Sequence, residues 1–348
     1  MEVTRQYQTV LVTGANGFYA AAIMDRLVKD GITIHGTVRS QRAVEALETK
    51  YGKQIKIFIV PDICAENAFH DAVKGVDAVF HVASPFIDTF SNARAEFLDP
   101  AMKGALSALE AAATEPKVKR VVMTSSCAAI VNPLHSSGFH RPGYTYTEAD
   151  WNPLTYEEAS ERTDFDPVYT ASKKLAEEAA WNFMKESKRH FDLVCINPCH
   201  TWGFYTQPVS SASQLNKTNA ELARLIDGEE KDLPYCHMPW AVRIENVVDA
   251  HIQALYNPKA NGRYIIANQP LDFQQIVDIM VKRFPEADWL ENVPKGKPGT
   301  RQLTEFFSLD NSRSIRDLGL NYGPVEQCIV DFCTQYQVDR KKWASKTA

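Results

Sequence analysis

The chain has 348 residues, of which 45% are hydrophobic and 23% charged, a composition typical of a globular protein with an extended core. Its formal net charge is −5, and it has no dense block of Lys or Arg. This charge argues against a dedicated nucleic-acid surface or an anionic-membrane surface. We therefore expect the partner to be a small molecule.

The seven cysteines are an odd number, are scattered along the chain and include no Cys-x-x-Cys pair. Cys195, Cys199 and His200 lie close together, but their spacing is not that of a zinc site, so we predict core cysteines and no metal. The polar first residues do not resemble a signal peptide, and no window approaches the roughly 18 to 20 apolar residues that cross a bilayer. The sequence thus predicts a cytoplasmic protein without a membrane partner.

Short apolar runs alternate with helical patterns from the first residues onward. The runs predict strands at residues 9–13, 33–39, 55–60, 78–82, 120–125 and 192–197. Helices are predicted at residues 18–29, 41–51, 65–73 and 92–113, with another around Tyr169. Because a crossover follows each strand, this pattern predicts an α/β fold, a Rossmann-type doubly wound parallel sheet with helices on both faces.

The alternation weakens after about residue 201, where prolines interrupt shorter elements. Helices near residues 219–226 and 246–256 and a strand at 263–267 are predicted there. We interpret residues 1–200 as the Rossmann domain and residues 201–348 as mainly a smaller C-terminal part that binds the substrate, with the chain crossing back near residues 240–265. The segment 132–167 is longer than a simple connection, and such loops are often lids.

A glycine turn, Thr13-Gly-Ala-Asn-Gly-Phe-Tyr-Ala20, follows the first strand and opens the first helix. Gly14 permits a tight turn, and Gly17 removes a side chain where a pyrophosphate must approach the helix N-terminus. The turn therefore predicts a dinucleotide site. Its predicted cofactor-binding residues are Gly14, Asn16, Gly17, Phe18 and Tyr19.

The end of the second strand normally decides which nicotinamide cofactor fits. An acidic residue there would bind the free ribose of NAD, but the sequence has Arg39, with Arg42 close behind. A guanidinium favours a 2′-phosphate, so NADP(H) is predicted over NAD(H). Asp62, after the third strand, could accept a hydrogen bond from the adenine amino group or could cap the helix predicted at 65–73.

Tyr169-Thr-Ala-Ser-Lys173 places a phenol and an ammonium four residues apart on one face of a helix. A nearby cation favours the phenolate, so such a tyrosine can exchange a proton near neutral pH. Thr124-Ser-Ser126 ends the fifth predicted strand, which brings it to the same edge of the sheet as the glycine turn. Alone the tyrosine and lysine pair is usually a solvated surface, but these neighbours indicate a catalytic site.

These motifs together resemble the extended short-chain dehydrogenase/reductases, and within them the dihydroflavonol reductase-like branch that includes fungal methylglyoxal and carbonyl reductases. The resemblance rests on seven stretches of the chain: Thr-Gly-Ala-Asn-Gly-Phe at 13–18, Val-Arg-Ser at 38–40, Val-Pro-Asp-Ile at 60–63, His-Val-Ala-Ser-Pro-Phe at 81–86, Val-Val-Met-Thr-Ser-Ser at 121–126, Tyr169-x-x-x-Lys173 and Asn197-Pro198.

The resemblance implies an NADPH-dependent carbonyl reductase of the EC 1.1.1 type. Tyr169 would donate a proton to a substrate carbonyl, Lys173 would bind the nicotinamide ribose and lower the pKa of the tyrosine, and Ser126 would hold the carbonyl oxygen. These three are the predicted catalytic residues. Further cofactor-binding residues implied by the resemblance or by their position are Asp62, Ile63, Ala83, Ser84, Thr124 and Pro198, with Tyr169 and Lys173.

Three stretches depart from the family pattern. Tyr19 and His200-Thr-Trp202 stand where relatives carry mostly aliphatic or smaller residues. Arg243-Ile-Glu-Asn246 stands where relatives carry an Asp-Val-Arg-Asp-like sequence. Rings near the predicted site suit an apolar or aromatic aldehyde or ketone. The predicted substrate-binding residues are Phe86, Ser126, His200 and Trp202.

Two alternatives stay open. One is an NAD-dependent sugar-nucleotide epimerase or dehydratase of the same superfamily, against which Arg39 and the aromatic wall argue. The other is a non-catalytic NADP(H)-sensing protein, against which the presence of Ser126, Tyr169 and Lys173 argues. A ketoreductase role in fungal secondary metabolism is also compatible, and the protein is expected to be a monomer or homodimer.

Overall fold

The computed structural model describes residues 7–84, 89–134 and 141–347. The strands in these ranges are β1 (Thr9–Val12), β2 (Thr33–Val38), β3 (Ile55–Ile59), β4 (Ala78–His81), β5 (Arg120–Thr124), β6 (Thr145–Tyr146), β7 (Asp192–Pro198), β8 (His200–Trp202), β9 (Trp240–Arg243), β10 (Gly262–Ile266), β11 (Gln269–Pro270) and β12 (Ser308–Leu309). The helices are α1 (Phe18–Lys29), α2 (Val44–Tyr51), α3 (Asp99–Thr114), α4 (Tyr156–Ser160), α5 (Phe165–Glu186), α6 (Lys217–Asp227), α7 (Ile244–Tyr256), α8 (Phe273–Arg283), α9 (Ser312–Leu318) and α10 (Glu326–Thr347).

Seven strands form the central sheet in the order β3-β2-β1-β4-β5-β7-β10. All neighbouring pairs are parallel, so all carboxyl ends lie at one edge. The chain reverses its direction of progress across the sheet between β1 and β4, the topological switch point at which such folds bind ligands. The predicted Rossmann-type parallel sheet is confirmed.

Hydrophobic cores lie on both faces of the sheet because successive strand residues point to opposite sides. Val10 and Val12 belong to the core that includes residues of α1 and α7, whereas Leu11 belongs to the core that includes residues of α3 and α5. This double coverage explains why the strands are nearly continuous apolar runs.

The C-terminal part both covers the sheet and contributes to it. β10 pairs with β7 at the edge of the central sheet, and α7 packs on α1. A small second sheet has the order β11-β9-β8 and follows directly from the end of β7. The small sheet is therefore attached directly to the strand that ends at Pro198.

Two predicted helices differ from the observed structure. Residues 65–73 form successive turns, because Asn67 adopts a positive φ of 56°, which ends regular helical hydrogen bonding. The helix predicted at 92–113 starts as a wide π-helical turn at Arg94–Leu98 and becomes α3 only at Asp99. Pro100 supplies no backbone N–H there, so an unbroken α-helical ladder cannot run through it.

The segment 132–167 is only partly described, since residues 135–140 lie outside the described ranges. Its later part is anchored: β6 pairs with β12, and Tyr146 is buried against Phe307. A capping box between Thr155 and Glu158 begins α4. The described residues of this segment are thus packed against the body of the protein.

All seven cysteines are free thiols, and only Cys64 is partly exposed. Among the described residues, no group of three or more His, Cys, Asp or Glu side chains could hold a metal ion. None of the helices in the described ranges has the length and hydropathy required to cross a bilayer.

An arginine at the amino edge of the sheet joins β5, β7 and the end of α7. Arg120 is buried and donates two hydrogen bonds of 2.7 Å to Asp192. It also donates to the backbone carbonyls of Ala254, Asn257 and Ala260. Its five donors are therefore shared among three elements of the fold.

We predict that Arg120→Met lowers the free energy of unfolding by about 3 kcal/mol, because several buried acceptors lose their donor at once. Urea denaturation would measure this loss. As a control, Lys74→Met breaks a fully exposed ion pair with Asp71 and should leave the midpoint unchanged. Equal midpoints for both variants would contradict the prediction.

Candidate active site

The glycine turn after β1 is shaped to receive a group close to its backbone. Gly14 has a φ of +67°, and a Cβ there would lie 3.2 Å from the Cα of Ala83. A Cβ on Gly17 would lie 3.1 Å from the carbonyl oxygen of Gly14. Asn16 and Gly17 are exposed at the start of α1, whereas Phe18 is buried beneath them. The backbone and its helix N-terminus fit a pyrophosphate.

A pair of residues that the sequence analysis missed supports this turn. The hydroxyl of Thr13 accepts hydrogen bonds from the backbone N–H groups of Val82 and Ala83 and lies 3.1 Å from Nδ1 of His81. Because the hydroxyl has one hydrogen, it donates to Nδ1, and we assign the His81 proton to Nε2. Burial lowers the pKa of His81 to about 4, so the ring is neutral. The sequence motif that begins at His81 was the signal from which this pair could have been found.

The predicted cofactor residues at the ends of the next strands occupy the same edge. Arg39 and Arg42 are exposed, and neither forms a hydrogen bond or ion pair with the described residues. Asp62 is also exposed, and its carboxylate accepts a 2.8 Å hydrogen bond from the N–H of Cys64. Since residues 65–73 are not a helix, the helix-cap interpretation of Asp62 is wrong. Ile63 packs against Gly104 of α3.

Ser126 is placed by the parallel pairing of β5 and β7. Thr124 lies beside Ile196 in the register, so Ser126, two residues beyond the end of β5, is level with Pro198, the last residue of β7. The Ser126 hydroxyl accepts a 3.1 Å hydrogen bond from the N–H of Ala128. This bond caps a short 3₁₀ turn at Cys127–Ala129. The loop is therefore ordered by the very residue predicted to be catalytic.

Tyr169 and Lys173 lie on successive turns of α5 and face the end of β5. A hydrogen bond connects Ser126 with Tyr169. The Lys173 ammonium lies 5.7 Å from the centre of the Tyr169 ring and donates a 2.7 Å hydrogen bond to Ser84. Phe165 stacks parallel to the Tyr169 ring at 5.8 Å. One cavity is lined by the cofactor-side residues His81, Ala83, Ser84, Thr124 and Lys173.

Burial dominates the electrostatics of this group. It raises the pKa of Tyr169 to about 12, while the hydrogen bond with Ser126 acts to lower it. Burial also lowers the pKa of the Lys173 ammonium to about 8. The sequence predicts that Lys173 lowers the tyrosine pKa, but in the structure desolvation raises the pKa of Tyr169, and the neighbour that acts against this rise is Ser126.

Tyr19 connects the glycine turn with the substrate side. Its hydroxyl donates a 2.8 Å hydrogen bond to the hydroxyl of Thr201 on β8, and Thr201 in turn donates to the carbonyl of Cys199. The side chain of Cys199 touches that of Cys127, with 3.0 Å between the sulfurs. Tyr19 therefore reaches from the glycine turn to β8, the strand after β7. We call β8 and the rings beside it the wall.

The predicted substrate residues on that wall behave differently from one another. His200 stands edge-on to Trp202, and its Nδ1 is buried without a hydrogen-bond partner among the described residues. Trp202 has no exposed surface, packs against Phe273 and donates its indole N–H to the carbonyl of Thr218. Trp202 is thus a core residue rather than a surface for substrate. Phe86 lies outside the described residues.

Charged groups that the sequence analysis did not single out also approach this wall. Nδ1 of His237 lies 3.5 Å from the Asp166 carboxylate, and the Lys217 ammonium lies 4.1 Å from the ring centre of Phe165. Burial raises the pKa of Glu221 to about 7. The wall therefore offers polar groups besides its rings.

Comparison with known proteins agrees with this geometry. The model of the NAD dependent epimerase/dehydratase family matches residues 10–268, which is most of the chain. The chain belongs to this family. The predicted membership in the extended short-chain dehydrogenase/reductases is therefore confirmed.

Several relatives of this extended dehydrogenase/reductase cover nearly its whole length. A putative oxidoreductase of Schizosaccharomyces pombe is 38% identical over 92% of this chain and 95% of the relative. The NADPH-dependent methylglyoxal reductase of Saccharomyces cerevisiae is 32% identical over 94% of this chain and 97% of the relative. The crystal structure of yeast methylglyoxal/isovaleraldehyde reductase with NADPH has a TM-score of 0.83 at 29% identity, covering 94% of this chain and 98% of that one.

We predict that Gly14→Ala in this extended dehydrogenase/reductase weakens NADPH binding at least about ten-fold, because an added Cβ both strains the positive φ and presses on Ala83. Fluorescence titration with NADPH would measure the Kd. Gly75→Ala is the matched control, since Gly75 has a φ of +78° but open space around its Cβ position. It should lower stability and keep the Kd, and equal affinities for the two variants would contradict the prediction.

Proposed function

We propose that the protein is an NADPH-dependent carbonyl reductase that reduces an aldehyde or ketone to an alcohol. The observation that carries this proposal is the convergence of Ser126, Tyr169 and Lys173 at the same sheet edge as the glycine turn. Relatives support it by name: besides the methylglyoxal reductase, a ketoreductase of Aspergillus niger is 31% identical over 93% of this chain and 96% of the relative. The name of the Aspergillus niger relative also supports a ketone as the substrate.

The nicotinamide cofactor, when bound, supplies the hydride. Tyr169 donates the proton that the substrate oxygen needs as negative charge develops on it. The Ser126 hydroxyl is the second donor to that oxygen. Two positioned donors stabilise this charge more in the transition state than in the ground state, which is the source of catalysis.

Lys173 has a different role. Its ammonium reaches Ser84 and the cavity on the cofactor side, where it would hold the hydroxyls of the nicotinamide ribose. Because burial holds its pKa near 8, the lysine is mostly charged at neutral pH and loses its charge in mildly alkaline solution. A charged Lys173 also favours the phenolate that Tyr169 becomes after donating its proton.

The remaining cofactor contacts follow the strand ends. The N–H groups of the glycine turn would hold the pyrophosphate, and Arg39 with Arg42 would hold the 2′-phosphate. Asp62 keeps lone pairs for the adenine amino group. The groove between them would be lined by Ile63, Ala83, Thr124 and Pro198.

A small apolar or aromatic carbonyl compound fits the wall best. Phe165, His200 and Tyr235 place rings around Tyr169 or on the wall beside it, and rings favour such substrates. A sugar nucleotide would require cations for its diphosphate, and Lys217, which lies over Phe165, is a single ammonium that cannot form the bidentate contacts of an arginine with phosphate. A cofactor sensor would not require Tyr169, Ser126 and Lys173. We further propose a cytoplasmic location, in line with the free thiols, and a monomer or homodimer.

We predict that Tyr169→Phe keeps the Kd for NADPH and lowers turnover at least about a hundred-fold, since the proton donor is lost without loss of the ring. Oxidation of NADPH would be followed by absorbance with a panel of aldehydes, diketones and aryl ketones. Tyr336→Phe, which removes a phenol hydroxyl far along the chain on α10, is the control and should retain turnover. Turnover by Tyr169→Phe close to wild type would exclude Tyr169 as the acid.

We predict that Arg39→Glu weakens NADPH binding far more than NADH binding, because a carboxylate repels the 2′-phosphate but accepts a free ribose hydroxyl. The ratio of the two Kd values should change at least about ten-fold. Arg283→Glu, at the exposed end of α8, tests for a general effect of charge and should change neither value. Equal losses of both cofactors in Arg39→Glu would refute this assignment.

A further inference from the structure

A carboxylate with no exposed surface lies behind the proposed catalytic group. Glu177, on α5, accepts hydrogen bonds of 2.6 Å from the hydroxyl of Ser125, 2.8 Å from the side-chain amide of Asn197 and 2.6 Å from Nε of Arg263. The indole N–H of Trp181 donates a fourth, at 3.2 Å. Both carboxylate oxygens are therefore satisfied.

Two partners of Glu177, at the ends of β5 and β7, are next to residues of the proposed site. Ser125 precedes Ser126, and Asn197 precedes Pro198. The same Asn197 amide also donates a 3.1 Å hydrogen bond to the carbonyl of Ser126. Movement of the carboxylate would thus be transmitted directly to the ends of β5 and β7.

The position of Glu177 on its own helix adds the third element. It follows Lys173 by four residues and Tyr169 by eight, so all three lie along one face of α5. One carboxylate therefore joins the helix that carries the proton donor to the strand end that carries Ser126.

Arg263 supplies the charge that makes this burial possible. It comes from β10, where its guanidinium donates to the carbonyls of Glu148 and Asp150 and stacks on Trp151 at 3.7 Å. Stability alone does not require such a pair, since well-packed apolar residues often serve as well. A fully satisfied polar network does fix geometry, because each member has few alternative arrangements.

We propose that Glu177 is a positioning residue that holds Ser126 in hydrogen-bonding contact with Tyr169. This inference deepens the proposed reductase function and rests on it. Glu177 touches neither substrate nor cofactor in this scheme. It acts through Ser125 and Asn197, and Arg263 acts through Glu177.

The opposite ends of the same two strands provide a matched comparison. Arg120 begins β5 and Asp192 begins β7, and their ion pair closes the amino edge of the sheet. It joins the same strands through an arginine–carboxylate pair but lies far from the site, and Asp192 is half-exposed. Loosening β5 from β7 at this end should therefore lower stability without an effect on the proposed chemistry.

The test uses Ser125→Ala, which removes one hydrogen bond and leaves the Glu177–Arg263 pair intact, so that the fold is retained. Its kcat should fall about ten-fold with the Kd for NADPH unchanged, because Ser126 is misplaced without loss of its hydroxyl. Glu177→Gln should lower kcat further and also lower the Tm. Asp192→Asn should lower the Tm and keep kcat.

The pH profile separates positioning from stability. The Ser126 hydrogen bond lowers the pKa of Tyr169, so its weakening in Ser125→Ala should raise that pKa. Alcohol oxidation, which needs the phenolate, should then require higher pH than in the wild type, and reduction should persist to higher pH. Asp192→Asn should leave the pH dependence of both oxidation and reduction unchanged. A wild-type profile and kcat in Ser125→Ala would overturn the proposal.

A readout without turnover separates this proposal from the reductase function. In protein labelled with ¹³C at tyrosine Cζ, the Tyr169 signal is assigned by its loss in Tyr169→Phe. We expect this signal to shift in Ser125→Ala and to stay in Asp192→Asn. Absence of wild-type turnover with a shifted signal would contradict only the reductase function. An unshifted signal would contradict the positioning role.

Discussion

A carboxylate withdrawn from water must be neutralised and hydrogen-bonded, since an unpaired buried charge costs several kcal/mol or more. In this protein Glu177 satisfies that constraint with donors from β5, β7 and β10. The donors must converge within hydrogen-bond distance of one group, so they fix the ends of β5 and β7 and the start of β10 relative to one another. Ser126 and Pro198 immediately follow two of these donors in the chain. The hydrogen bonds that stabilise the buried charge therefore also fix the geometry of the proposed site.

The amino edge of the sheet contributes to stability, whereas the carboxyl edge carries the proposed chemistry. At the amino edge Arg120 ties β5 to β7 and to the end of α7, away from any proposed ligand. At the carboxyl edge Glu177 joins the ends of the same strands, next to Ser126, and Arg263 supplies its countercharge. The chain returns to form β10, which widens the sheet. This strand also carries the countercharge that allows Glu177 to be buried. A protein that ended after β7 would need another cation there.

Sequence patterns predicted what depends on local periodicity. The strands and α1 follow from apolar runs and a 3.6-residue repeat, and the glycine turn and the Tyr169 to Lys173 spacing follow from motifs. The helix expected at 65–73 failed because a single residue, Asn67, takes a left-handed conformation that the apolar pattern does not encode. Trp202 was misjudged because composition cannot tell a ring in a cleft from a ring beneath it. Only the packing of Phe273 and Thr218 decides that.

Contacts between distant residues were the other missing part, and one of them explains two departures from the family pattern together. Tyr19 and Thr201 are separated by 182 positions, yet their hydroxyls are hydrogen-bonded. An aliphatic side chain at position 19 could not make this bond, and an aliphatic residue at 201 could not accept it. The two differences therefore form one structural unit, in which the turn that would hold the pyrophosphate is joined to the strand that carries His200. Because Thr201 bonds in turn to the carbonyl of Cys199, the joined strand is also fixed to the end of β7, where Glu177 acts from the other side.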